Sequence, residues 1–206
     1  MINKELQKRI LSSIILLPLA YYFISAGSFY LIFFTIICFF VSIYEWNKMV
    51  KIIELKVLGT LILIFSFYTF YETTSTDLWI FVLLVCVSTD IGGYVFGKLF
   101  KGPKLTKISP NKTYSGMIGG YLLSLIFLKV FFDLYKTSVN EEWFIVTILI
   151  STVSQIGDII VSYFKRLSKV KDTGKIIPGH GGLLDRIDGM IFVFPIFYTI
   201  LLTNFI

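Results

Sequence analysis

The residues best suited to chemistry lie in one polar stretch, residues 162–188, set between two strongly apolar segments. The stretch reads SYFKRLSKVKDTGKIIPGHGGLLDRID and holds six basic side chains, three aspartates, the only histidine and four glycines. Basic side chains bind the oxygens of a polyphosphate, and glycines let the backbone approach a ligand closely. Aspartates beside bound phosphates are typical of a Mg²⁺ site. The stretch therefore predicts a site for a nucleotide.

An aspartate also lies inside the apolar segment that precedes this stretch. Gln155, Asp158, Ser162 and Lys165 are spaced so that they share one face of a helix. At roughly 1.5 Å per residue, Asp158 would lie about 10 Å inside the helix end that Lys165 marks. A carboxylate at that depth is costly unless it is paired, hydrated or bound to a cation. We expect a metal ligand or an ion-pathway carboxylate, and a structural ion pair is the alternative.

A second aspartate, Asp90, lies inside another apolar segment. Small residues follow it, and residues 93–97 and 116–120 both have the GxxxG pattern. The pattern is typical of closely packed membrane helices, and a polar cavity on the same face is the alternative. Asp90 is the informative residue of this segment, because intramembrane carboxylates are usually functional.

A basic loop, residues 98–115, follows the segment that contains Asp90. Its turn Ser109-Pro110-Asn111-Lys112-Thr113 stands just before a predicted helix, where backbone N–H groups and Lys112 could hold phosphate oxygens. The turn lacks the GxxxxGK[ST] spacing of a P-loop. For the other lysines of the loop, an ordinary solvated segment is an equally good interpretation.

The elements that must position these residues are predicted to be membrane helices. The chain is 56% hydrophobic and only 16% charged, with a mean hydropathy of +0.81. We expect an all-α polytopic integral membrane protein of about seven transmembrane helices, because a span takes about 20 residues. It would form one membrane-embedded domain, with N-terminal helices in 1–76 and catalytic helices and cytoplasmic loops in 77–206. The predicted spans are 10–26, 28–46, 54–71, 77–97, 115–135, 142–164 and 187–204.

Charge predicts the orientation. With a cytoplasmic N-terminus, 17 of the 19 basic residues fall on the inner side, as the positive-inside rule requires. Both polar loops are then cytoplasmic. The net charge of +6 records this topology, so nucleic acid is not an expected partner. Cys38 and Cys86 lie in apolar runs, which favours packing over a disulfide or a zinc site.

The polar stretch resembles the signature of the phosphatidate cytidylyltransferases, also called CDP-diacylglycerol synthases. The matching positions are Ser162-x-x-Lys165-Arg166, Lys171-Asp172 and His180-Gly181-Gly182-x-x-Asp185-Arg186-x-Asp188. Gln155-x-Gly157-Asp158 and the motifs around Asp90 and Lys112 are also similar to the family's, so the resemblance covers roughly residues 85–206. Tyr114 and Ser115 depart from it, since they stand where an aromatic residue, usually Trp, and an acid are common.

The resemblance implies that CTP and phosphatidic acid react to give CDP-diacylglycerol and pyrophosphate, with Mg²⁺ required and a second, monovalent cation as a further candidate. It implies that Asp158 and Asp185 hold the metal, with Asp188 and Asp90 as further candidates. The expected setting is a lipid bilayer, the bacterial inner membrane, with the active site facing the cytoplasm and a homodimer as the assembly. The implied catalytic residues are Asp158, Lys165, Arg166, Lys171, Asp185 and Asp188, and the implied substrate-binding residues are Ser109, Lys112, Thr113, Ser162, His180, Gly181, Gly182 and Arg186.

Two other functions are considered. A CTP-dependent lipid kinase of the polyprenol type would also use a cytidine nucleotide at a membrane, but it would transfer the γ-phosphate to an alcohol. A cation transporter would use Asp90 and Asp158 as intramembrane ligands, and it would leave the basic, glycine-rich loop without a role. The chain has no DGxxAR motif, which disfavours a CDP-alcohol phosphotransferase.

Overall fold

The computed structural model describes residues 4–74, 78–136 and 138–206. Within these ranges every regular element is an α-helix, and the only strand-like pairings are two isolated β-bridges. The helices are α1 (Lys4–Ser25), α2 (Ser28–Met49), α3 (Ile53–Thr74), α4 (Leu78–Phe100), α5 (Tyr114–Leu134), α6 (Glu141–Leu167), α7 (Leu184–Ile187) and α8 (Met190–Leu202).

Five of these helices, α2 to α6, are long and apolar enough to cross a membrane. This confirms an all-helical, polytopic integral membrane protein. The first and last of the seven predicted spans are not confirmed, because their apolar helical parts, Ile14–Ser25 and Met190–Leu202, are shorter than a full span. At the C-terminal end, Asp188 and Gly189 form a turn that separates α7 from α8 and shortens the predicted helix.

The described chain divides into two compact units. The first contains residues up to Tyr71 together with Phe164–Ile187, and the second contains Glu72–Tyr163 and Asp188–Ile206. Helix α6 contributes its residues up to Tyr163 to the second unit and its last turn to the first. The α6–α7 loop, residues 168–183, therefore belongs to the first unit, with α1, α2 and α3.

In the first unit, Trp46 of α2 is the centre of the packing. Its ring lies against Gly59 of α3, where no side chain would fit, and 5.2 Å from the ring of Phe164. Its indole N–H donates to the carbonyl of Leu55 at 3.2 Å. A buried tryptophan needs such an acceptor for its N–H. The residue thus joins α2 and α3 to the last turn of α6.

The end of α6 directs the chain into the α6–α7 loop. The amide of Val170 donates to the carbonyl of Lys165, and the amide of Lys169 donates to the carbonyl of Arg166. Lys169 adopts a φ of 56°. These are the bonds of a Schellman motif, whose left-handed position is usually occupied by glycine. The loop therefore leaves the helix at a defined angle.

In the second unit, α4 and α5 pack with their backbones in contact. A Cβ at Gly116 would lie 2.6 Å from the carbonyl oxygen of Gly93, and one at Gly119 would lie 2.8 Å from that of Gly92. Close packing, which the GxxxG patterns predicted, is thus confirmed. Near the start of α4, the ring of Phe81 is the centre of an aromatic cluster with Phe131, Trp143 and Phe197.

Candidate active site

The second unit contains a cavity of about 310 Å³, at the lower end of the size range of ligand pockets. It lies between α4, the α4–α5 loop (residues 101–113), the start of α5 and α6. The polar residues that line it are Thr89, Asp90, Ser109, Asn111, Lys112, Thr113, Gln155 and Asp158.

Asp158 forms an ion pair with Lys112 in this cavity. Ser162, one turn further along α6, donates a hydrogen bond to Asp158 Oδ1 at 3.2 Å, as their shared helix face predicted. The ion pair that the sequence left as an alternative is therefore present. It is partly open, since 32% of the Asp158 side chain and 23% of the Lys112 side chain are exposed. The carboxylate is thus paired and still accessible to a ligand.

Asp90 lines the same cavity from α4 and is exposed. Its helix neighbours Gly93 and Tyr94 also line the cavity, so the face predicted from their spacing is confirmed. Both alternatives stated for this face apply, because the glycines pack against α5 while Asp90 lies at the cavity. Asp90 of α4 and Asp158 of α6 thus share one cavity.

Part of the turn before α5 serves to cap that helix. Thr113 is the N-cap, and its Oγ1 accepts a hydrogen bond from the amide of Gly116 at 3.1 Å. The amide of Lys112 donates to the carbonyl of Ser109 at 3.0 Å, which closes the turn. Thr113 therefore has a structural role as a cap, whereas the Lys112 ammonium reaches into the cavity.

In the first unit, Asp185 is bound from three sides and is only 8% exposed. Its Oδ1 accepts from Lys165 Nζ at 3.0 Å, and its Oδ2 accepts from the amides of Thr173 at 2.8 Å and Gly182 at 3.0 Å. The Lys165 side chain is only 11% exposed. The two residues thus form a buried ion pair that fixes the α6–α7 loop.

A residue that the sequence reasoning missed, Glu45 of α2, binds the same loop. Glu45 is 1% exposed, and its carboxylate accepts hydrogen bonds from the Thr173 hydroxyl and from the amides of Leu183 and Leu184. A signal was available, because Glu45 is the one charged residue of the predicted span 28–46. The rule that an intramembrane carboxylate needs a partner holds for Glu45 as it does for Asp158.

Two glycines of the loop, Gly174 and Gly182, are explained by the Glu45 carboxylate. A Cβ at Gly182 would overlap the Thr173 hydroxyl and the Glu45 carboxylate, and a Cβ at Gly174 would also overlap Glu45. Gly181 has a φ of 89°, which a side chain would strain. The close approach expected of this turn is therefore an approach of the backbone to the protein's own acidic side chains.

His180 contacts helix α1. Its Nδ1 lies 2.8 Å from the Ser12 hydroxyl, which also donates to the carbonyl of Pro178 at 3.1 Å. The amide of His180 donates to the carbonyl of Ile177 at 3.0 Å, which closes the tight turn. The histidine thus has at least a role in ordering the turn against α1.

The remaining predicted site residues lie at the surface or in the second unit. Arg166, Lys171 and Arg186 are exposed, and Arg166 Nη1 donates to the carbonyl of Val170 at 3.2 Å. Asp188 lies in the turn after α7 and accepts from the amide of Gly189. Asp188 lies just beyond α7, which ends at Ile187, so it is not on the same helix as Asp185.

Mg²⁺ requires oxygen ligands, which the carboxylates of the protein could supply. Among the described residues, no three His, Cys, Asp or Glu side chains cluster closely enough to form a protein-only metal site. Mg²⁺ usually binds one or two carboxylates together with water and substrate phosphates, so such a cluster is not needed. The partly exposed Asp158, in one cavity with Asp90, fits this requirement. Asp185 fits it less well, because Lys165 would have to leave Oδ1.

Comparison with known proteins places this geometry in a family. A model of the cytidylyltransferase family matches residues 54–204, which is more than half of the chain. Proteins named phosphatidate cytidylyltransferase from Staphylococcus epidermidis and Staphylococcus haemolyticus are 43% and 44% identical over 145 and 142 residues, covering 66% of this chain and 54% of theirs.

The protein of that name from Staphylococcus aureus is 43% identical over 144 residues, which are 68% of this chain and 55% of the relative. The chain spans about half the length of the curated relatives it matches. The residues that the family model matches include Asp158 and the α6–α7 loop. The chain belongs to the cytidylyltransferase family.

Proposed function

We propose that the protein is a phosphatidate cytidylyltransferase that converts CTP and phosphatidic acid to CDP-diacylglycerol and pyrophosphate. The observation that carries the proposal is the cavity of the second unit, where Asp158 and Asp90 from two membrane-spanning helices share a polar lining with Lys112. A lipid phosphate and a nucleotide triphosphate both need cationic and metal-binding groups near the membrane boundary. The relatives' names agree with this chemistry.

In the proposed reaction, a phosphate oxygen of phosphatidic acid attacks the α-phosphorus of CTP. A new P–O bond forms there, and the bond from the α-phosphorus to the bridging oxygen breaks, so that pyrophosphate leaves with that oxygen. The attacking oxygen already carries negative charge, so no general base is required. Catalysis then consists mainly of positioning and charge stabilisation. Lys112 is suited to this role, because its ammonium already balances a carboxylate in the cavity.

Mg²⁺ would be held in this cavity by Asp158, with Asp90 as the second carboxylate, and would neutralise phosphate oxygens when bound. Lys112 would then be available to the substrate phosphates. We propose that Lys165 and Asp185 keep the α6–α7 loop ordered, because the two side chains form an ion pair inside the first unit. Arg166 and Lys171 are exposed and remain candidates for binding phosphate oxygens.

We propose that the cytoplasmic side of a bacterial inner membrane is the location of the reaction. The proposal is supported by the 17 of 19 basic residues that one orientation places inside, and by the staphylococcal origin of the relatives. CTP is a cytosolic nucleotide, so the substrates agree with this side. Seven spans and a homodimer are further proposals that rest on the sequence and on the resemblance alone.

The test is an assay of the purified protein with phosphatidic acid, Mg²⁺ and CTP carrying label in the cytidine or in the γ-phosphate. A cytidylyltransferase transfers the cytidine label to lipid and releases the γ-label as pyrophosphate. A CTP-dependent lipid kinase would instead transfer the γ-label to a polyprenol and release CDP. Folded protein that forms no CDP-lipid under these conditions would contradict the proposal.

A further inference from the structure

We infer that Glu45 of α2 is a positioning residue for the proposed reaction, which fixes the α6–α7 loop through the backbone and so holds its basic and acidic side chains in place. Its connection with catalysis rests on the proposed function, whereas its connection with the loop does not. Glu45 lies outside residues 54–204, which the family model matches. Helix α2 would therefore belong to the functional part of the molecule.

The first observation is how completely the Glu45 carboxylate is used. Oε1 accepts from the amide of Leu183 at 3.1 Å. Oε2 accepts from the amide of Leu184 at 2.9 Å and from the Thr173 hydroxyl at 3.0 Å. The residue is 1% exposed, so solvent contributes little to stabilising its charge. Three donors on one buried side chain indicate a built contact, because buried polar groups are costly unless they are hydrogen-bonded.

The second observation is that Glu45 and Asp185 act on the loop together. Thr173 donates its hydroxyl to Glu45 and its amide to Asp185. At the other end of the loop, the amide of Gly182 donates to Asp185, and the next two amides donate to Glu45. The two carboxylates therefore tie both ends of the segment 173–184 to each other. This segment contains Lys175 and His180, and Lys171 lies just before it.

The third observation comes from the shape of the chain around Glu45. Gly174 and Gly182 both lie so close to its carboxylate that a Cβ at either position would overlap it. The two glycines are thus the positions that let the loop backbone reach the acid. Since Gly182 belongs to the polar motif that resembles the cytidylyltransferase signature, part of that motif serves to meet Glu45.

The chemistry favours a carboxylate over an amide at this position. An ionised glutamate is acceptor-only and can take all three donors. A glutamine of the same size would turn its NH₂ group towards at least one N–H or O–H donor. Glu45→Gln therefore changes the hydrogen bonding with little change in volume, which makes it the informative variant.

The test uses the whole 206-residue chain in detergent and has two readouts. The first is tryptic cleavage after Lys175, which is exposed within the loop, with cleavage after the exposed Lys107 of the α4–α5 loop as an internal control. The second is the kcat and KM of CDP-lipid formation. We expect Glu45→Gln to speed cleavage after Lys175 and to lower kcat, each by about tenfold or more, with cleavage after Lys107 unchanged.

A matched pair at Thr173 separates the contact from general damage. Thr173→Val removes one donor to Glu45 and keeps the two amide bonds, so we expect a change of a few-fold in the same direction. Thr173→Ser keeps the hydroxyl and should behave as the parent protein does.

Three results would overturn the inference. Parent-like cleavage after Lys175 in Glu45→Gln would show that Glu45 does not order the loop. Faster cleavage with unchanged kcat and KM would remove its connection with catalysis, and faster cleavage at Lys107 as well would indicate only a loss of stability. If the parent protein forms no CDP-lipid, the proposed function fails, while the cleavage measurements still decide whether Glu45 holds the loop.

Discussion

At the scale of single residues, two carboxylates on membrane-spanning helices differ in a way that decides their roles. Asp158 pairs with a lysine in a cavity and keeps 32% of its side chain exposed. Glu45 accepts hydrogen bonds from backbone amides and a hydroxyl and is 1% exposed. Lys112 meets Asp158 in a cavity, so a ligand can take the place of Lys112. The partners of Glu45 are two backbone amides and a hydroxyl that meet it away from solvent, so Glu45 serves structure.

The accessible carboxylate of Asp158 gives the first prediction. Asp158→Asn keeps the volume and removes the charge, so we expect CDP-lipid formation to fall by about a hundredfold or more, as it does when an electrostatic stabiliser is removed. Thermal unfolding should change little, because the residue is partly exposed and Lys112 also contacts the carbonyl of Gln155.

Ser162→Ala is the matched control for Asp158→Asn. It removes only the hydrogen bond to Asp158 Oδ1 and leaves the charge in place. CDP-lipid formation by Ser162→Ala should fall by a few-fold at most. Activity above about a tenth of the parent's in Asp158→Asn would remove Asp158 from the proposed catalytic set.

Lys165 shows why the partners of a residue are hard to foresee from sequence. Its position in a basic run predicts that it binds phosphate oxygens, and the structure shows that it pairs with Asp185, 20 residues further on. For Asp158 the sequence leaves an ion pair as an alternative, but it does not identify Lys112 as the partner. Residue type and local spacing indicate what a side chain can do. Its partner depends on packing between segments far apart in the chain.

At the scale of elements, the apolar runs predicted the helices well where nothing interrupts them. Predicted spans 115–135 and 142–164 correspond to α5 (Tyr114–Leu134) and α6 (Glu141–Leu167). The predicted last span, 187–204, begins before α8, since the local sequence Asp188-Gly189 turns the chain between α7 and α8. Hydropathy alone does not register such a turn. The GxxxG patterns correctly predicted the packing of α4 on α5.

The close packing of α4 on α5 gives the second prediction. At Gly92, a Cβ would overlap the carbonyl of Gly119, whereas at Gly93 the nearest atom to a Cβ lies 3.8 Å away, in ordinary contact. Gly92→Ala should therefore lower the free energy of unfolding by about 1–3 kcal/mol, as overpacking does. Gly93→Ala should be neutral or slightly stabilising, because alanine favours a helix.

Thermal or denaturant unfolding of the two alanine variants in detergent measures this difference directly. The two positions are adjacent and carry the same substitution, so general effects of the detergent cancel. Equal stability of the two variants would show that backbone contact between α4 and α5 does not limit the packing.

At the scale of the whole molecule, the distribution of charge makes a prediction about orientation that helix lengths cannot make. The 17 basic residues on the proposed inner side include Lys107 and Lys175, while Lys136 falls in a proposed outer loop. All three side chains are exposed in the structure. They can therefore report on the two sides of the membrane without disturbing the described contacts.

Cysteine labelling measures that orientation and gives the last prediction. Cys38 and Cys86, which lie in α2 and α4, are first replaced by alanine to give a background without thiols. Lys136→Cys should then react with a membrane-impermeant maleimide in intact spheroplasts, and Lys107→Cys and Lys175→Cys only after the membrane is opened. The reason is that basic loops are retained on the cytoplasmic side. Labelling of Lys175→Cys in intact spheroplasts would place the α6–α7 loop outside, away from cytosolic CTP, and would contradict both the orientation and the proposed side of the reaction.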